Sequence, residues 1–254
     1  MRKRISKRTT AALIVMSAAL AQMQLSAQPP ARRGPPQAPK LEAPIDLTGY
    51  WVSVVTEDWR YRMVVPAPGD YQGVPMTAEA LKVADAWDPA KDEVAGDQCK
   101  SFGAPALLRV PEHLHITWSD DNTLRMDVDA GTQTRLFHFG SAESSATEPS
   151  LQGESIAQWE IQRANARPVN GSLRVATSHL KAGYLRKNGV PYSEHATLTE
   201  YFDLVHERYG DQLMVVTIVV TDPKYLREDF IISSHFKKQA DETGWKPSAC
   251  SSRW

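Results

Sequence analysis

The chain has 254 residues, 42% of them hydrophobic and 23% charged, with 14 Gly and 17 Pro. That is enough apolar material for one sizeable core, and it excludes a collagenous, coiled-coil or wholly disordered protein. With 29 Lys and Arg against 30 Asp and Glu the formal net charge is -1 and the basic residues are scattered, so no footprint for nucleic acid is present.

Residues 1–8 carry Arg2, Lys3, Arg4, Lys7 and Arg8 with no acid, and Ala11 to Ala21 is apolar and small-sided. This layout predicts a secretory signal peptide over residues 1–27, cleaved near Ala27 or at the competing small residue Ala21, and hence a periplasmic or secreted protein. No later apolar stretch reaches the roughly 18 residues of a spanning helix, so no transmembrane segment is expected in the mature chain. Cleavage leaves 24 Lys and Arg against 30 acids, about -6, which argues further against nucleic acid. Residues 28–44 are rich in Pro and poor in bulky apolar groups, and read as a disordered tether. A single domain is expected over residues 45–254.

Two cysteines, Cys99 and Cys250, lie in that domain. In an oxidising compartment one disulfide between them is the default expectation.

From Ile45 onward the pattern is mainly β. Strands are expected over Tyr50 to Val55, Trp59 to Val65, Leu114 to Trp118, Leu124 to Asp129 and Thr132 to Phe139. More follow over Ala157 to Gln162, Ser172 to Ser178, Ala196 to Val205, Gln212 to Thr221 and Phe230 to Phe236. One helix is expected from Ala78 to Trp87, capped by Thr77 and stopped by Asp88-Pro89. Many strands across short turns predict an all-β protein, an antiparallel up-and-down barrel of eight to ten strands with one short helix, which leaves no exposed edge. A two-sheet β-sandwich is the alternative.

Several segments carry a resemblance. Gly153-Glu154-Ser155 with Trp159-Glu160, then Ser172 to Thr177, Asn188 to Glu194, Glu200-Tyr201-Phe202 and Thr221 to Tyr225 follow a pattern G-x-S-x(3)-W-E, G-x-P-H-S-E, E-R-F, D-P-x-x-Y. The series resembles that of exported bacterial proteins of unassigned role that look like lipocalin-type or calycin-type β-barrels. The resemblance implies fold and compartment rather than a reaction, and the chain has Tyr192 and Tyr201 where the pattern has His and Arg.

Among the candidate site residues, Glu200 stands out by strand parity. It falls on the apolar face with Ala196, Leu198, Phe202 and Leu204. A carboxylate there is either a functional acid or base with a raised pKa, or is paired with Arg135, Arg174 or a Tyr hydroxyl to organise the core. His138 alternates with Arg135 and Phe137, so one of the two faces is inside; if the His138 face is, His138 and Glu200 form an acid and base pair, with Tyr192 as a further proton-transfer candidate. Trp159, Tyr184, Tyr201 and Arg135 are candidates for lining a ligand pocket. His113 and His115 share a strand face and form a weak candidate metal pair that lacks a third ligand, so no metal is assigned. The alternation Asp58-Trp59-Arg60-Tyr61-Arg62 suits either an anionic or planar ligand at a barrel rim or a solvated edge.

Nucleophile elbows, a catalytic Cys, His-Glu-x-x-His and phosphate loops are absent from the sequence. Two classes of function follow. One is a barrel that binds a small, largely apolar or aromatic molecule in its cavity. The other is a cofactor-independent lyase, isomerase or hydratase that uses Glu200 with a His or Tyr in the same cavity. A structural or interaction module of the cell envelope demands no site at all. No cofactor is implied, a small molecule is the expected partner, and the oligomeric state is open.

Overall fold

The computed structural model describes residues 37–140, 148–165 and 167–252, so the expected signal peptide and most of the Pro-rich segment lie outside the described residues. A helical turn, α1 (Pro39–Glu42), precedes β1 (Gly49–Val54). Four short helices follow: α2 (Trp59–Met63), α3 (Ala78–Asp85), α4 (Pro89–Ala95) and α5 (Ala104–Leu107). Then come β2 (His113–Asp120), β3 (Thr123–Val128), β4 (Gln133–Phe139), β5 (Glu154–Ala164) and β6 (Arg167–Ser178). A small hairpin, β7 (Gly183–Tyr184) and β8 (Pro191–Tyr192), leads to β9 (Thr197–His206), β10 (Gln212–Thr221) and β11 (Phe230–Lys238).

The strands other than β7 and β8 close into a barrel in the order β1, β11, β10, β9, β6, β5, β4, β3, β2, which decides against the sandwich. Alternation makes the closure work. Trp51, Leu114, Ile116, Leu124, Met126, Phe137, Val175, Phe202, Val216 and Phe236 all point inward and are buried, while their strand neighbours face out. The interior positions are thus occupied by large side chains, and the Phe137 and Phe202 rings meet at 5.6 Å.

The expected all-antiparallel meander is corrected at one seam. β4 and β5 pair in parallel, Phe137 opposite Ser155, so the chain returns to the starting end of β4 before β5 begins. The expectation of a single helix is corrected as well. α3 forms where expected, with the Thr77 hydroxyl accepting from the Ala80 amide at 3.2 Å. Asp88-Pro89, read as a stop, also starts α4: Asp88 caps the Ala90 amide at 3.0 Å, and Pro89 occupies the first turn, where its missing N–H costs nothing. Trp59 to Val65 was expected as a strand, yet residues 59–63 are the helix α2. Tertiary contacts outweigh its β-leaning composition: Arg62 turns inward to donate to the Arg109 carbonyl at 2.8 Å, and Arg186 lies 4.1 Å over the Tyr61 ring.

The long connection 55–112, the hairpin loop 179–196 and residues 222–229 gather at one end of the barrel. Backbone bonds join them: Thr77 N to Tyr225 O at 2.9 Å and Arg227 N to Pro75 O at 2.8 Å. Asn188 adds side-chain bonds to the Ala67 and Asp70 carbonyls at 3.2 and 3.0 Å. Toward the opposite end, the last part of the Pro-rich segment is docked rather than a free tether. The Trp159 indole donates to the Pro39 carbonyl at 2.9 Å, and Lys40 N donates to Asp121 O at 3.2 Å.

Cys99 and Cys250 form a disulfide across a sequence separation of 151 residues. It ties the C-terminal tail to the capping layer, where Ser252 also donates to Glu93 at 2.7 Å. In the chain-entropy account, closing a loop of this length restricts the unfolded chain by roughly 3–5 kcal/mol. Reduction, or Cys99→Ala with Cys250→Ala, is therefore expected to lower unfolding stability by about that amount. Denaturant titration with and without reductant measures it, and coincident curves would contradict the assignment.

Candidate functional site

Of the residues singled out in the sequence, Glu200 and Arg135 meet and His138 does not join them. β4 turns Arg135 and Phe137 inward, leaving His138 exposed on the outer wall. Arg135 donates to Glu200 through two nitrogens, at 2.7 and 2.6 Å, with both side chains fully buried. Its Nη2 also reaches Thr177 Oγ1 at 3.2 Å, and Ser155 and Thr177 share a bond of 2.8 Å. Of the two readings of Glu200, the geometry matches the paired core carboxylate, and the proposed Glu200 and His138 pair is not formed.

The other candidates are dispersed. Tyr192 is fully buried where Gly103 and Gly183 leave room for its ring; its hydroxyl has no hydrogen-bond partner among the described residues, and burial pushes its pKa up. Tyr184 donates to Asp92 at 3.1 Å, beside the Trp87 indole, which donates to the same carboxylate at 2.9 Å; burial and that charge raise the Tyr184 pKa. Trp159 packs with Phe139 and Trp118 near the N-terminal turn, at 5.3 and 6.5 Å. Tyr201, opposite Arg174 in β6 and Thr217 in β10, is half-buried on the alternate face from Glu200. His113 is held by Asp129 at 2.9 Å and His115 stacks on Tyr50 at 4.1 Å, so the two imidazoles serve different neighbours. Among the described residues no group of three or more His, Cys, Asp or Glu side chains is placed to hold a metal.

What the structure does assemble is a basic cleft in the capping layer, beside the barrel mouth. One lobe, about 30 Å³ and open to solvent, is lined by Tyr61, Arg62, Arg109, Leu185, Arg186 and Lys187 among others. A second lobe, about 140 Å³, shares Tyr61, Arg62, Pro111 and Lys187 with the first and adds Met63, Val64, Val65 and Pro66. Helix α2 makes this possible. Its turn sends Tyr61 and Arg62 into the cleft, while Trp59 and Met63, four residues apart, share an exposed apolar face.

The three arginines are buried, at 8%, 5% and 4% exposure for Arg62, Arg109 and Arg186. Two acids answer them directly. Arg62 pairs with Glu57 and donates to Ser53 Oγ at 3.0 Å. Asp58 accepts from Arg109 at 2.6 Å and lies 3.8 Å from Arg186. Arg186 donates to the Gln72 carbonyl at 2.6 Å, but its buried Nε has no acceptor among the described residues. Burial first, and then the neighbouring Arg109 charge, press the Arg186 pKa down. Positive charge is therefore undercompensated here.

Lys187 forms the wall common to both lobes, with Nζ 4.5 Å above the Phe102 ring. Burial lowers its pKa to about 7, and Glu112 opposes that shift. Glu112 is buried, with both carboxyl oxygens lacking a hydrogen-bond partner among the described residues; desolvation, then Asp129, push its pKa well above the usual carboxylate value. The sequence pointed to Arg62 and Tyr61 through their alternation at a rim. It carried no comparable signal for Arg109, Glu112, Arg186 or Lys187, which come from separate loops.

No protein-family model matches the chain, and neither a curated protein nor a solved structure shows significant similarity to it. The fold and the cleft thus define the class reached here: a closed, filled β-barrel with a basic cleft built on one end.

Two outcomes follow from these electrostatics. Glu200→Gln leaves the Arg135 charge buried without a counterion and is expected to cost about 3–5 kcal/mol of stability, whereas Arg135→Met with Glu200→Leu together restores most of it. Urea denaturation of the three proteins checks this, and a neutral Glu200→Gln would contradict it. The second concerns Lys187, whose folded pKa of about 7 lies below its ordinary 10.5. Between those values the unfolded chain binds the extra proton, so this group makes stability rise with pH. Lys187→Met should remove that rise and flatten the stability profile over the same range, read by denaturation at successive pH values.

Proposed function

We propose that the protein is an exported barrel that binds a small organic anion, a carboxylate with an apolar substituent, in the cleft lined by Tyr61, Arg62, Arg109, Arg186 and Lys187. The observation that carries this reading is the convergence of three buried guanidinium groups on one solvent-open cleft, with Arg186 Nε lacking an acceptor. Partly buried guanidinium groups recognise carboxylates by charge-assisted hydrogen bonds, which are stronger than neutral ones. The second lobe, with Met63, Val64, Val65 and Pro66, suits the apolar part of the same molecule.

This reading keeps the small-molecule partner expected from the sequence and moves its site from the barrel interior to the barrel mouth. The filled interior supports the move, since Trp51, Arg135, Phe137, Phe202 and Phe236 occupy the space an internal ligand would need. Export is supported by the basic block followed by an apolar run at the N-terminus, and by the Cys99 to Cys250 bond.

Calorimetric titration with 4-methylpentanoate tests the reading. Binding is expected to weaken as salt rises, and Arg186→Gln is expected to lower affinity roughly tenfold or more, the worth of a hydrogen bond to a charged group. Equal affinity for the uncharged 4-methylpentanamide, or an unchanged constant in Arg186→Gln, would overturn it.

A further inference from the structure

The order of chemistry along the cleft is specific. At one end stand Arg109 and Arg186; at the other stand Met63, Val64, Val65 and Pro66; the wall between them, common to both lobes, contains Lys187. A molecule that fits this order has a carboxylate, then an amine-reactive centre, then an apolar substituent. A 2-oxo acid with a branched aliphatic side chain has that sequence of groups.

We propose that Lys187 captures such a 2-oxo acid as a covalent imine. The proposal rests on the carboxylate-binding reading of the cleft and extends it to a reaction. With the carboxylate beside the unpaired Nε of Arg186 and the alkyl group against Val64 and Val65, the keto carbon comes opposite the Lys187 stem. A change of rotamer then brings Nζ from its position over Phe102 to that carbon. The amine lone pair forms the new C–N bond, and the carbonyl oxygen takes one amine proton to give a carbinolamine. The C–O bond then breaks, and the oxygen leaves as water carrying the second amine proton. The balance is one amine plus one ketone to one imine plus one water, with no change of oxidation state.

The surroundings favour the neutral amine that this step needs. Burial disfavours the ammonium form more than the Glu112 charge favours it, and the Lys187 pKa of about 7 leaves a large fraction of neutral amine at neutral pH. An exposed lysine, at about 10.4, has less than one part in a thousand in that form at the same pH. The carboxylate-binding arginines and the amine sit on connected walls, so holding the acid also places its keto carbon, which converts a bimolecular encounter into an intramolecular one.

The test uses the full mature chain, 4-methyl-2-oxopentanoate and sodium cyanoborohydride, which reduces an imine to a stable secondary amine. Peptide mapping by mass spectrometry locates the adduct, and calorimetry with 4-methylpentanoate, which lacks the keto group, is run in parallel. The expected result is a saturable adduct on the peptide containing Lys187, at least tenfold above that on Lys100, Lys181 or Lys224. It should disappear in Lys187→Arg, which keeps the cationic charge but has no amine able to form an imine. Normal 4-methylpentanoate binding with no adduct, or with an adduct spread evenly over surface lysines, would overturn the imine and leave the carboxylate cleft standing. Absence of binding in both experiments would overturn the cleft reading and the imine with it.

Discussion

The Arg135 and Glu200 ion pair is the constraint around which the barrel is organised. Arg135 comes from β4 and Glu200 from β9, and between those strands lie β5 and β6, which contribute Ser155 and Thr177 to the same network. Four adjacent strands, including the parallel seam, are thus joined through one buried guanidinium. Such a pair stabilises little compared with a well-packed apolar core, because desolvation of both charges offsets their attraction. What it does strongly is penalise alternatives. A slip of one residue in β4 would turn Arg135 and Phe137 out to solvent, bring His138 inside, and leave the Glu200 carboxylate buried alone.

Large inward side chains occupy the barrel interior, and the basic cleft is built outside it. The connection between β1 and β2 provides most of it. Segments 55–112 and 179–196 lie together over the barrel mouth, and their polar groups meet there in low-dielectric surroundings. Burying Arg62, Arg109, Arg186, Lys187 and Glu112 in one layer costs free energy that the nearby acids offset only in part. Undercompensated charge of this kind is what a binding or reactive site uses, and the same burial that raises Glu112 lowers Lys187.

The strand pattern was legible because its cause is local. In Ala196 to Val205 every second residue except Glu200 is apolar, and the structure turns Leu198, Glu200 and Phe202 inward as that alternation requires. The Thr77 cap of α3 was equally legible, being a bond between a side chain and an amide three residues on. Trp59 to Val65 misled because alternation over a short, charged stretch is shared by strands and by single helical turns, and only the Arg62 and Tyr61 contacts choose between them. His138 and Arg135 were ambiguous for a related reason: parity states that they face opposite ways but not which face is inside.

By itself the sequence determined the β content, most strand positions, the capped helix, and Cys99 with Cys250 as the available disulfide pair, since each depends on residue types at short fixed spacings or on elimination. The parallel step between β4 and β5, the partner of Glu200 and the gathering of Arg62, Arg109, Arg186 and Lys187 were decided only in three dimensions. Phe137 and Ser155 are 18 residues apart, Arg62 and Arg109 47, and Arg135 and Glu200 65, and no local preference encodes which distant side chains share a buried volume. That choice belongs to barrel closure and to the packing of its cap, where the free energy of the whole chain selects the neighbours.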